Sequence, residues 1–287
     1  VKALNSNTSS SYNTNVTIAF LLPPVLTSLE SVSDGVVINW RGVEGATGYT
    51  VYRKSNTESE WQSVGSINNA TTTFKDITAD GGYYDYAVTA TIGKSESPKA
   101  TIGYSVYFLK APQNISVSNV MNGLKVSWDS SKNAEYYIIR RITNNSGVAE
   151  VIAEVSITSF TDIWVENLNE YSYSITAVDK NGLGSIGNPY TSSFTRILPP
   201  IVESAIPETN SITVSWKKVT GVDYYNVYRH TDGNWVKMAT VENTADSYKD
   251  TDVNSGMKYY YTVTAVKDST ESCISEENTK SATYVNM

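Results

Sequence analysis

The chain has 287 residues, 40% apolar and 11% aromatic, enough for two or three packed cores and too apolar to be wholly disordered. Its formal net charge is -7 without any basic run, so neutralising nucleic-acid phosphates and adhering to an anionic membrane surface are both disfavoured. One cysteine, Cys273, excludes an internal disulfide and a Cys-based zinc site, and one histidine, His230, removes most imidazole-dependent metal and triad arrangements.

In chain order, residues 1–14 are polar, whereas Val16, Ile18 and Phe20 alternate. Phe20 lies 88 residues before Phe108, so the tail 1–21 is expected to end in the last strand of a missing preceding module. The absence of an initiator Met at Val1 fits a fragment of something longer, with flanking domains. No signal peptide is evident and no apolar run approaches 18 residues, so no membrane insertion is expected.

Trp40, Trp128 and Trp216 are 88 residues apart, as are Pro24, Pro112 and Pro200 at the strand entrances, and this step divides the rest into units 22–109, 110–197 and 198–287. Each unit reads as short alternating strands separated by Gly, Asn, Ser and Asp turns, with no sustained 3.6-residue apolar period. In the strand that ends at the tryptophan, Val36, Ile38 and Trp40 share a face, as do Leu124, Val126 and Trp128, and Ile212, Val214 and Trp216. A later strand repeats the pattern with Tyr84, Tyr86, Val88 and Ala90, then Tyr171, Tyr173, Ile175 and Ala177, then Tyr259, Tyr261, Val263 and Ala265. Between the two, Phe74, Phe160 and Tyr248 each stand two residues before an Asp suited to bonding the backbone of the next turn.

The strand ending in Trp, the Tyr-x-Val strand nine residues on and the Y-x-Y-x-[VI]-x-A strand resemble fibronectin type III modules of the bacterial extracellular or cell-surface type, as phrases such as GYTVYRK and YYYTVTAV do. The resemblance covers about 265 residues. It implies an all-β fold of three tandem seven-stranded immunoglobulin-like sandwiches in an elongated array, with Tyr84, Tyr171 and Tyr259 as corner tyrosines bonded to nearby backbone. The connections FLKAP and RILPP hold no flexible tether, so restricted bending between modules is expected.

Most singled-out residues are expected to be structural. Arg53, Arg141 and Arg229 recur at one strand position and should pair with nearby carboxylates. Trp61 and Trp235 occupy matching edge-strand places where the middle unit has Ala149, and Cys273 aligns with Ser185 at the start of a last strand. DTDVNSG at 250–256 resembles a calcium loop, but Gly256 is one place late and Tyr261 stands where a Glu is needed, so a capped turn is expected and no metal or cofactor. Two features remain for a partner. Tyr224 and Tyr228 take the outward phase around Tyr225 and Val227; with Tyr260, on a neighbouring strand, they could form an exposed aromatic patch for a protein or a glycan. Trp164 has no aromatic counterpart in the other units and is suited to covering a seam between modules or touching a ligand.

No Ser–His–acid set, paired-carboxylate cleft or phosphate loop stands out. The sequence therefore points to a non-enzymatic structural spacer or adhesion segment, and the family resemblance implies that it belongs to a bacterial cell-surface or secreted protein, outside the cell. The alternatives are a protein- or carbohydrate-binding module, an accessory region of a secreted polysaccharide-degrading enzyme and, less strongly, a phage tail protein.

Overall fold

The computed structural model of the chain describes residues 20–103, 105–231 and 233–285. The strand expected over 15–21 falls almost wholly outside these residues; of its alternating positions only Phe20 is described, and it is 83% exposed. The chain separates into two compact units, Val1–Lys110 and Ala111–Met287.

The first unit holds β1 (Val25–Val32), β2 (Gly35–Arg41), β3 (Gly48–Ser55), β4 (Gln62–Asn68), β5 (Thr73–Asp76) and β6 (Gly81–Ile92), followed by the short β7 (Ser95–Glu96), β8 (Ala100–Thr101) and β9 (Val106–Leu109). One sheet has the order β1-β2-β5; the other runs β4-β3-β6, with β7, β8 and β9 all pairing on β6. The last strand is thus present but interrupted, because Pro98 has no N–H for the ladder. Between the sheets lie Val36, Ile38, Trp40, Tyr49, Val51, Tyr86 and Val88, all at most 3% exposed.

The second unit repeats this plan twice. β10 (Ser116–Val120), β11 (Gly123–Ser127) and β14 (Ser159–Asp162) face β13 (Ala149–Val155), β12 (Ala134–Thr143), β15 (Glu170–Asp179) and β16 (Phe194–Thr195). Then β17 (Ile201–Glu208), β18 (Ser211–Lys217) and β21 (Ser247–Asp250) face β20 (Asn234–Glu242), β19 (Tyr224–Thr231), β22 (Lys258–Lys267), β23 (Thr270–Glu271) and β24 (Lys280–Thr283). All named strand pairs are antiparallel, and the fold is three immunoglobulin-like sandwiches, as the family resemblance implies. Trp128 and Trp216 are 5% and 2% exposed, and each of the three tryptophans meets a tyrosine edge-on at 5.3–5.6 Å: Tyr49, Tyr137 and Tyr225.

Where the last strand leaves the sheet, a serine hydroxyl replaces a backbone acceptor: Ser97, Ser185 and Ser272 accept the amide hydrogens of Ala90, Ala177 and Ala265, each at 3.0 Å. This corrects the alignment of Cys273 with Ser185. The turn after β22 is one residue shorter, so Ser272 takes that role and Cys273 is its neighbour.

Candidate functional site

Each sandwich closes around one polar triad. Asp76, Asp162 and Asp250 end the strands β5, β14 and β21 and are at most 1% exposed. From the opposite sheet, Arg53, Arg141 and Arg229 place Nη1 2.7, 2.9 and 2.9 Å from a carboxylate oxygen of these residues. The same oxygen accepts the hydroxyl of Tyr86, Tyr173 or Tyr261 at 2.8, 2.9 and 2.7 Å. The other carboxylate oxygen accepts the backbone N–H two residues on, from Thr78, Trp164 or Asp252. Each guanidinium also lies over a corner tyrosine, 5.1 Å from Tyr84, 5.4 Å from Tyr171 and 5.1 Å from Tyr259.

Burial and the adjacent Asp push the phenols of Tyr86, Tyr173 and Tyr261 well above their usual range. Burial alone would lower the guanidiniums, but the Asp partners outweigh it and the net shift is upward. Chemically the triad is a clamp: both carboxylate oxygens, the phenol and Nη1 of each guanidinium are engaged inside the fold, and only Nε of Arg141 and of Arg229 is buried without a partner. DTDVNSG is part of it, since Asp252 also pairs with Arg229 at 3.0 Å, and no cluster of metal-ligating side chains occurs among the described residues.

The corner tyrosines accept backbone N–H groups as the resemblance implied: Tyr171 from Glu166 and Tyr259 from Asn254, both at 2.8 Å. Tyr84 instead meets Gly81 at 3.2 Å, because the stretch from Asp76 to Tyr84 is one residue shorter than its counterparts. A second set of hydroxyl contacts was not expected from sequence. Tyr49, Tyr137 and Tyr225 accept the amides of Val43, Ser131 and Val219, fixing the loop that leads into the strand. The signal was the repeated six-residue spacing.

The four residues expected to serve a partner are not brought together. In the β19–β22 register Tyr224 faces Val266 at one end of β19, whereas towards the other end Tyr228 faces Thr262 and His230 faces Tyr260, so Tyr260 is only a diagonal neighbour of Tyr228 and is remote from Tyr224. Tyr228 donates to Glu271 at 2.9 Å; Glu271 also receives Asn226 at 2.9 Å and Thr264. Burial first, then the Glu271 contact, pushes the Tyr228 phenol up to about 12. In the first sandwich Tyr52, Thr89 and Glu96 form the matching set, and in the second Arg140 meets Thr176 at 2.9 Å where the acid is replaced by Gly184. Tyr228 therefore belongs to a recurrent sheet-surface network. Trp164 is 63% exposed and does not fill a seam.

The seam between the second and third sandwiches is filled by other residues. Arg196, 1% exposed, donates to the carbonyls of Val120 and Met121 at 2.7 and 2.9 Å and to the Asn119 side chain at 3.1 Å. Asn119 in turn reaches the Glu271 carbonyl of the third sandwich at 3.3 Å. Leu168 packs so closely on Gly221 that a Cβ there would lie 2.4 Å from its Cδ1. Arg196 stands 88 residues from both Phe108 and Tyr284, and an Arg at an aromatic core position was the legible signal.

One surface row differs among the sandwiches. In the third, the registers align Trp235, His230, Tyr260 and Ser281 across β20, β19, β22 and β24. The imidazole lies 5.3 Å from the indole and 6.2 Å from the phenol, edge-to-face with both. These residues, with Glu276 and Thr279 from the turn before β24, line an open cavity of about 460 Å³.

No family model matches the chain. It is 27% identical over 293 residues to an amylopullulanase of Thermoanaerobacterium saccharolyticum, covering 82% of this chain and 23% of that protein. It is 27% identical over 261 residues to human Tenascin-R, covering 87% and 18%, and 24% identical over 216 residues to human Fibronectin type III domain-containing protein 7, covering 74% and 29%. The chain thus spans less than a third of the length of each relative. The sheet order, buried tryptophans and corner tyrosines give the three sandwiches the fold of fibronectin type III modules, in keeping with the similarity to these relatives.

Proposed function

We propose that the chain is a non-catalytic accessory segment of a longer, secreted bacterial polysaccharide-degrading enzyme, where it spaces and presents other domains outside the cell. The observation that carries this reading is the fastening of the connection between the second and third sandwiches. Leu168 N–H donates to the Arg196 carbonyl at 2.8 Å, Arg196 N–H to Asn169 at 3.0 Å and Leu198 N–H to the Asn167 side chain at 2.9 Å. On the far side Asn278 accepts the Val202 amide at 2.8 Å and donates to the Pro200 carbonyl. A connection held at both ends resists bending, which suits a spacer. The amylopullulanase similarity supports the polysaccharide-degrading context. The similarity to Tenascin-R supports a second reading, an adhesion segment of a surface protein.

The test is enzymatic. The isolated chain is expected to release no reducing sugar from pullulan or starch, and its excision from the parent enzyme to leave turnover of a short soluble substrate unchanged. Hydrolysis by the isolated chain, or loss of that turnover on excision, contradicts the proposal. A parent chain without a hydrolase domain favours adhesion.

A further inference from the structure

The row of Trp235, His230, Tyr260 and Ser281 occupies one place in the module plan, and its three versions show what that place does. In the first sandwich it holds Trp61, Lys54, Asp85 and Ser105, and its own charges close it. Lys54 Nζ lies 5.1 Å over the Trp61 ring and 3.7 Å from Asp85, and Ser105 donates to Asp85 at 2.6 Å. In the second, Ala149, Ile142 and Ser172 take the row, and Ser172 meets Ser193 at 3.4 Å. No aromatic ring remains there.

The third sandwich retains the tryptophan, replaces the Lys–Asp pair with His230 and Tyr260, and adds the Glu276 carboxylate beside them. Neither substitution is needed by the core, which lies on the other face of the sheet. His230 stands edge-to-face between the two larger rings at 5.3 and 6.2 Å, Lys258 Nζ lies 5.0 Å over the Tyr260 ring and, among the described residues, leaves the indole without a cation on it, and Glu276, Thr279 and Ser281 border the row with acceptor and donor oxygens. Among the described residues no cation pairs with Glu276.

We infer that this row is a sugar-binding subsite for a neutral oligosaccharide, whose C–H face lies on Trp235 beside Tyr260 while its hydroxyls donate to Glu276. The chemistry selects this ligand class. A sugar is the ligand that presents an apolar ring face and hydroxyl donors within one or two residues, and the cavity is of the size that takes them. An acidic polymer would meet the Glu276 carboxylate and a chain of net charge -7. The site rests on the geometry of the row; only the choice of an α-glucan as the first probe rests on the accessory-segment reading.

The experiment is NMR titration of the full chain with maltohexaose and, separately, cellohexaose at millimolar concentration. At least one is expected to shift backbone amides in β19, β20, β22 and residues 276–281, and to leave the Lys54 row unmoved. Trp235→Ala should weaken that binding at least about tenfold, the scale of an aromatic anchor, with the melting temperature held. Should Trp235→Ala disturb the fold, the exposed Glu276→Gln provides the second variant and is expected to weaken binding without changing stability. Binding of cellohexaose alone leaves the subsite standing and counts against the α-glucan context. No shift with either sugar, shifts confined to other regions, or full binding by a folded Trp235→Ala variant overturns the inference.

Discussion

At the scale of single residues, the Arg–Asp–Tyr triad decides how each sandwich responds to pH. The phenol of Tyr261 is 0% exposed and donates to Asp250 at 2.7 Å, so ionising it in the folded state puts a second negative charge beside a buried carboxylate. Its folded-state pKa is raised, whereas the unfolded chain gives up the proton near pH 10. The stability that follows from this difference is fully present below about pH 10 and is lost as pH rises toward the raised folded value. Each such tyrosine contributes a slope of about 1.4 kcal/mol per pH unit in that window. Tyr261→Phe removes both the bond and the titration. At pH 7 it is expected to cost about 1.5–3 kcal/mol, the worth of a hydrogen bond to a charged group. Between pH 10 and 11 the melting temperature of the third sandwich should fall less steeply in the variant than in the parent. Parallel pH curves for the two proteins would show that Tyr261 does not govern the alkaline limb. The three members of the triad each recur in the sequence at a step of 86 to 88 residues, but nothing local says that they meet, because each lies on a different strand and the carboxylate comes from the opposite sheet.

At the scale of strands and turns, alternation was legible wherever one face is buried: period two places Trp40, Trp128, Trp216 and the inward tyrosines without knowledge of pairing. Register was not legible, because it is set by partners distant in sequence. For this reason Tyr224, Tyr228 and Tyr260 looked like one patch, whereas pairing puts His230, not Tyr228, opposite Tyr260. The loop before β19 shows a related case. Gly45, Asn133 and Gly221 all have positive φ, 78°, 68° and 84°, a conformation that glycine adopts freely and asparagine tolerates. A turn requirement is therefore readable from the repeat. Contact of Gly221 with Leu168 of the preceding sandwich is not readable. Gly221→Ala should cost about 1–3 kcal/mol, from the left-handed backbone and the overlap with Leu168. Leu168→Ala in the same chain should relieve the overlap but not the backbone strain. In a urea double-mutant cycle the two changes should therefore couple by about 0.5–3 kcal/mol. Strict additivity would mean that the side chains do not meet in solution.

At the scale of the whole molecule, one plan recurs three times with different fillings at a few places, and those places are informative. Phe108, Arg196 and Tyr284 hold the same position; two are aromatic and one is a cation bound to backbone carbonyls beside the seam. In Ala111–Met287 the expected consequence is mechanical coupling, since Arg196 anchors the connection and Asn119 reaches across it. Trp216→Ala tests this over distance. Loss of a 2% exposed indole from the third core should cost about 3–5 kcal/mol there. If the seam transmits stability, amide hydrogen exchange of Tyr171–Ala177 in the second sandwich should also quicken, because opening of the third sandwich removes the partners of Leu168 and Asn119. The first unit serves as reference: its amides at Tyr84–Ala90 should keep their protection. Exchange in β15 unchanged by Trp216→Ala would mean that the two sandwiches open independently despite the buried arginine, and a spacer built on that connection would bend there.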